Sequence, residues 1–118
     1  MDNQNAEYKV IDLNKLKEYF EDKKELVEFL ELFISQSKEE VEILTELIDN
    51  KKYDDISRQA HKLKSTYASM GIIKASSLLT EIENISKNNG DFSKIPDLFA
   101  EFKKIQELAE IESKKIIS

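Results

Sequence analysis

His61 is the single histidine of a 118-residue chain, within the stretch AHKLKSTYASMGI, residues 60–72. An unperturbed imidazole titrates near about 6.5, so at neutral pH a ring nitrogen is largely free to act as a nucleophile. Attack on phosphorus would give a phosphohistidine, and the anionic group so acquired calls for a nearby Lys or Arg. Lys64 and Ser65 follow His61 by three and four residues, and Ala68 lies one turn further on. The cation can neutralise charge delivered to the ring, and the small residues let another protein's backbone approach it. The competing reading is an ordinary surface histidine. Ser65 itself does not read as a hydrolase nucleophile, because no base other than His61 and no acid completes a triad.

The element that carries His61 decides where the ring points. Ile56, Ala60, Leu63, Tyr67 and Met70 are spaced 4-3-4-3. At about 100° per residue they fall within about 40° of one line on a helical wheel, whereas His61 falls near about 140°. A helix over about 53–70 therefore buries that stripe and turns His61 outward. Gly71 is placed to end the helix in a left-handed conformation.

The other elements follow from the same periodicity. Asp12 can cap a short helix carrying Leu13, Leu16 and Phe20, and Asp22 with Glu25 offers a capping box. Apolar residues at Leu26, Phe29, Leu30, Phe33, Ile34, Val41, Leu44 and Ile48 predict one long helix over 23–49. A break into two helices at Ser37, with Glu40 completing a second capping box, is the rival. A further helix over about 72–87 turns Leu78, Leu79, Ile82 and Ile85 inward, and NNG at 88–90 stops it. Ser93 is the expected cap of the last helix, with Pro96 in its first turn and Ile95, Leu98, Phe99, Phe102 and Ile105 inward. That helix is expected to fade near ESKKIIS. The implied fold class is all-α: an antiparallel up-down-up-down four-helix bundle with a short extra N-terminal helix. Residues 1–9 read as a flexible tail and 10–118 as one domain.

Composition narrows the function. The net charge of −6 disfavours nucleic acid and anionic membrane surfaces, which need a basic face. There is no Cys, so thiol catalysis and Cys-based zinc sites are excluded, and no His/carboxylate spacing suggests a metal site. No Gly-rich phosphate loop is present, so no known loop motif would bind ATP. No apolar run approaches the roughly 20 residues of a membrane span, and the start, MDNQNAEYKV, is not a signal peptide. A cytoplasmic, free-standing monomer is the expectation. Glu39/Glu40 and Asp54/Asp55 read as solvated helix ends.

The stretch Ala60, His61, Leu63, Lys64, with Gly71 ten residues after His61, resembles the signature of histidine-containing phosphotransfer (HPt) domains, roughly A-H-x-L-K-G. The resemblance continues into KASSLLTEIE and covers about residues 10–112. It implies a four-helix bundle whose exposed His61 carries phosphoryl groups between receiver-domain aspartates in a phosphorelay, with no autokinase activity and with Mg²⁺ only on the partner receiver. It further implies that Lys64 stabilises the phosphoryl group, that Glu83 binds the other ring nitrogen, and that Lys87 matches a position able to carry a second cation. Arg58, the only arginine, is a further candidate to assist the phosphate. Ser65 departs from the family's Gly, and its hydroxyl could donate to phosphoryl oxygens. The partner surface is expected around His61 and Ala68 and to include Leu13 and Leu16, although each leucine could equally be core. The alternative function is a helical adaptor or inhibitor that docks on a receiver or kinase without phosphotransfer.

Overall fold

The computed structural model describes residues 8–118. Five α-helices follow in order: α1 (Leu13–Lys17), α2 (Lys23–Asp49), α3 (Tyr53–Ser69), α4 (Ile73–Lys87) and α5 (Ile95–Ile117), with a 3₁₀ turn at Phe92–Lys94 ahead of α5. There is no strand among the described residues. Asp12 caps α1 through the Lys15 amide, and Asp22 caps α2 through the Glu25 amide. Glu25 reaches back to the amide of Glu21, one residue before the cap, so the reciprocal bond of a capping box is displaced by a residue.

α2 is unbroken. Ser37 does not start a new helix: it is buried in the α2/α5 seam, where its hydroxyl accepts from the Gln106 amide at 3.0 Å. Gln106 also donates to Glu110, which pairs with Lys38 and Lys114. A polar residue on the inward stripe is thus satisfied by the facing helix, as burial requires.

Two expectations at the last helix are corrected. Ser93 does not cap it: Asp91 caps the 3₁₀ turn by accepting both the amide and the hydroxyl of Ser93, and α5 begins only at Ile95, with no side-chain cap. α5 also does not fade near residue 112 but continues to Ile117, because Glu112 and Ser113 are buried. The Glu112 carboxylate accepts the backbone amides of Lys9 (2.6 Å), Val10 (3.1 Å) and Ile11 (3.0 Å), fastening the incoming chain to α5. Of the expected tail, residues 1–7 lie outside the described residues, whereas Tyr8 packs against the core.

Gly71 has φ +71°, the left-handed end of α3. Its amide bonds to Ala68, the Ile72 amide returns to Tyr67, and the Asp12 amide bonds to Met70. A Cβ at Gly71 would run into the Asp12 side chain. The α3–α4 turn and the entry to α1 are therefore packed together, and α1 lies over that end with Leu13 and Leu16 turned inward.

That placement corrects the expected partner surface: Leu13 (5% exposed) and Leu16 (fully buried) belong to the core. A five-residue helix has only one apolar side, and here the bundle end takes it. From the stripes read in the sequence the core takes Leu26, Leu30, Phe33, Ile56, Ala60, Leu63, Tyr67, Leu79, Ile82, Phe99 and Phe102; it adds Ile11, Ile72, Ala75 and Ala109, and it leaves out Ile34, expected on the inward stripe of α2. Tyr67 sits between Phe33 and Phe102, edge-on to each.

Candidate functional site

His61 leaves the outer face of α3 with its side chain 65% exposed. Its Nδ1 lies 2.8 Å from Glu83 Oε2 of α4. An ionised carboxylate only accepts, so Nδ1 is the donor; in the neutral ring this leaves the lone pair on Nε2. Helix packing sets this geometry: Ala60 and Leu63 hold α3 down, and Ile82 beside Glu83 does the same for α4.

The second oxygen of Glu83 is also used. Lys64 Nζ donates to Oε1 at 2.9 Å. The two donors, one helical turn apart on α3, straddle one carboxylate that is itself buried. Burial alone raises the Glu83 carboxyl; the hydrogen bonds from Lys64 and His61, with their charges, outweigh it and hold the group below the ordinary carboxylate range.

A cleft of about 440 Å³ opens beside the ring, lined by Asp54, Ser57, Arg58, His61, Glu83 and Lys87. It brings together the first two turns of α3 and the end of α4. Arg58 is bonded to Asp55, whereas Lys87 has no ion-pair partner among the described residues. Ser65 is exposed one turn beyond His61; its carbonyl accepts the Ser69 hydroxyl. Ala68 is exposed and lines a separate groove with Lys15, Ile73, Ser76, Ser77 and Thr80. Ile73 is 70% exposed at its rim.

The structure therefore gathers His61, Lys64, Glu83, Arg58 and Lys87 at one place, with Ser65 and Ala68 on the adjoining surface, and leaves Leu13 and Leu16 out. Sequence reading missed three features. Ser57 lines the cleft, and its position four residues before His61 was the available signal. Ile73 stands outside the apolar stripe of α4. Asp54, read as a solvated helix end, also faces the cleft. Among the described residues no group of three or more acidic or histidine side chains is placed to hold a metal ion, and no helix is long and apolar enough to cross a membrane.

A model of the Hpt domain family matches residues 28–113, from the first turns of α2 to near the end of α5. The chain belongs to the Hpt domain family. Hpt domains are phosphocarriers that serve histidine phosphotransfer in phosphorelays and interact with receiver domains. No curated protein and no solved structure matches the chain.

Proposed function

We propose that this Hpt domain carries a phosphoryl group on Nε2 of His61 between aspartates of two receiver domains. The observation that carries this reading is the pairing at His61: Nδ1 is engaged by Glu83 while the ring stands exposed. In the forward step the Nε2 lone pair attacks phosphorus of a receiver's aspartyl phosphate. The N–P bond forms, the acyl P–O bond breaks, and the electron pair leaves with the aspartate. The Nδ1 proton stays, and the positive charge on the phosphorylated ring faces the Glu83 carboxylate. The reverse step on a second receiver returns the neutral imidazole.

Lys64 is one turn from the nucleophile and exchanges its bond to Glu83 for one to the phosphoryl group, assisted by Lys87 and Arg58. Ser65 keeps the approach to the ring open. Positioning and charge dominate phosphoryl transfer, and both are supplied here by two packed helices. In this reading the Mg²⁺ of the reaction belongs to the receiver, and the phosphoryl group comes from a receiver and not from ATP. The reading includes an antiparallel up-down-up-down course of α2–α5, and a receiver seated over α3 and α4 on the groove bordered by Ala68 and Ile73.

The test is transfer of labelled phosphate from several phosphorylated receivers to the wild type and to His61→Gln. Acid-labile, base-stable label on the wild type and none on the variant is expected. A variant that still binds receivers and signals without label would instead identify a docking adaptor.

A further inference from the structure

Ser57 is half-buried on α3, one helical turn before His61. On the helical wheel Ser57, His61 and Lys64 fall within about 60° of one another. Every Cα–Cβ bond in a helix tilts toward the N-terminus, so the imidazole leans over the turn that carries Ser57, not over the turn that carries Ser65. The cleft beside the ring has Ser57 in its wall.

The Ser57 hydroxyl is also free. Thr45, Ser69 and Thr80 each donate to the carbonyl four residues back in their own helices. Ser57 makes no such bond, nor any other side-chain hydrogen bond among the described residues. The charged groups around it are differently placed. Arg58 is occupied by Asp55 and Lys64 by Glu83. Asp54, in the same wall, stands two turns from His61 and repels an anion. A phosphoryl group on Nε2 brings three terminal oxygens into this space, where Lys87 is a cation without an ion-pair partner among the described residues and Ser57 is the neutral hydroxyl in the same lining.

We infer that Ser57 is a phosphoryl-binding residue, its hydroxyl donating to a terminal oxygen of the phosphohistidine and stabilising the phosphorylated state of the domain. This rests on the phosphocarrier reading. It makes no bond and breaks none; it adds one hydrogen bond present only when the phosphoryl group is on His61. The consequence is thermodynamic. Docking alters how fast the group moves between two proteins but not its final partition between them, so Ser57 acts on the partition itself.

The experiment measures the equilibrium distribution of labelled phosphate between a receiver and the bundle for wild type, Ser57→Ala and Ser57→Thr. Ala is compatible with the helix, so the fold persists. Ser57→Ala should still be labelled at His61 but hold roughly five- to tenfold less phosphate relative to the receiver, the loss expected for a typical hydrogen bond in a site open to water. Ser57→Thr, which keeps the hydroxyl, should recover most of the difference. An unchanged partition in Ser57→Ala, or a loss that Thr does not recover, would overturn the role of the hydroxyl while leaving the carrier intact. Failure to label the wild type with receivers that label a control Hpt domain would overturn both readings.

Discussion

Two donors meet at one carboxylate: His61 Nδ1 and Lys64 Nζ at the two oxygens of Glu83. In the proposed mechanism Glu83 selects the tautomer that leaves Nε2 as the nucleophile, and it holds Lys64 until a phosphoryl group competes for it. Glu83→Gln keeps an acceptor for Nδ1–H but removes the charge facing the phosphorylated ring. The expected outcome is a His61 that is still labelled, with transfer slowed roughly tenfold, measured by rapid-quench transfer from a receiver; an unchanged rate would count against the role of Glu83. Stability should report the same contacts. The carboxyl is held below its ordinary value of about 4.3, so its bonds stabilise the fold above that pH and are lost as pH falls through the depressed folded value. Lys87, Asp54 and Arg58, the last bonded to Asp55, line the same cleft as the carboxyl. Acid unfolding should therefore set in more steeply for wild type than for Glu83→Gln, and their stability difference should close at the acid end. At neutral pH Glu83→Ala should cost about 1 kcal/mol, small because both partners can turn to water.

At the scale of elements, the α3–α4 turn and the Glu112 clamp place the helices that carry the site. Gly71 occupies a left-handed conformation against Asp12, so Gly71→Ala meets both backbone strain and a clash. A loss of about 2 kcal/mol or more is expected, read as a lower denaturant midpoint at unchanged m-value. Glu112 gathers three consecutive amides at the entry to α1, one of them the buried Ile11. In Glu112→Ala these amides lose their acceptor; hydrogen exchange at Ile11 should rise sharply, with a stability loss of about 2 kcal/mol. Amide protection at Ile11 equal to wild type would show that the clamp contributes little. The α2/α5 seam works differently: Ser37, Gln106 and Glu110 place a hydrogen-bonded polar layer between apolar ones, fixing how the two helices register.

The described residues form a rod of 49 × 21 × 21 Å, with the candidate site on its side at the α3/α4 face. Its radius of gyration, 14.9 Å over Cα atoms, exceeds the roughly 13.5 Å typical of a compact chain of this length because the helices lie along one axis. The forward X-ray scattering of a monomer should give the mass of one chain, 13.7 kDa, and about twice that mass would reveal self-association. On a chain of net charge −6 the cleft balances Arg58 and Lys87 against Asp54 and Glu83, a charge pattern that gives a polyanion no basic face to bind.

The amino-acid sequence alone determined the helices and the side of α3 on which His61 stands. Period and caps are local properties: the 4-3-4-3 stripe from Ile56 to Met70, Asp12 and Asp22 as caps, and Gly71 as terminator need no knowledge of neighbouring helices. The motif around His61 was legible for the same reason, since its residues lie within a few turns. Tertiary structure decided the rest. Whether Leu13 and Leu16 face a partner or the core depends on whether another element covers them, and α1 happens to close the bundle end. The end of α5 depends on Glu112 finding amides a hundred residues away, and Ser37 stays helical because Gln106 meets it from α5. Most consequentially, the two hydrogen bonds that Glu83 accepts from His61 and Lys64, and the cleft that Ser57 shares with Lys87, arise only where α3 and α4 lie side by side, a juxtaposition that packing creates and no single helix encodes.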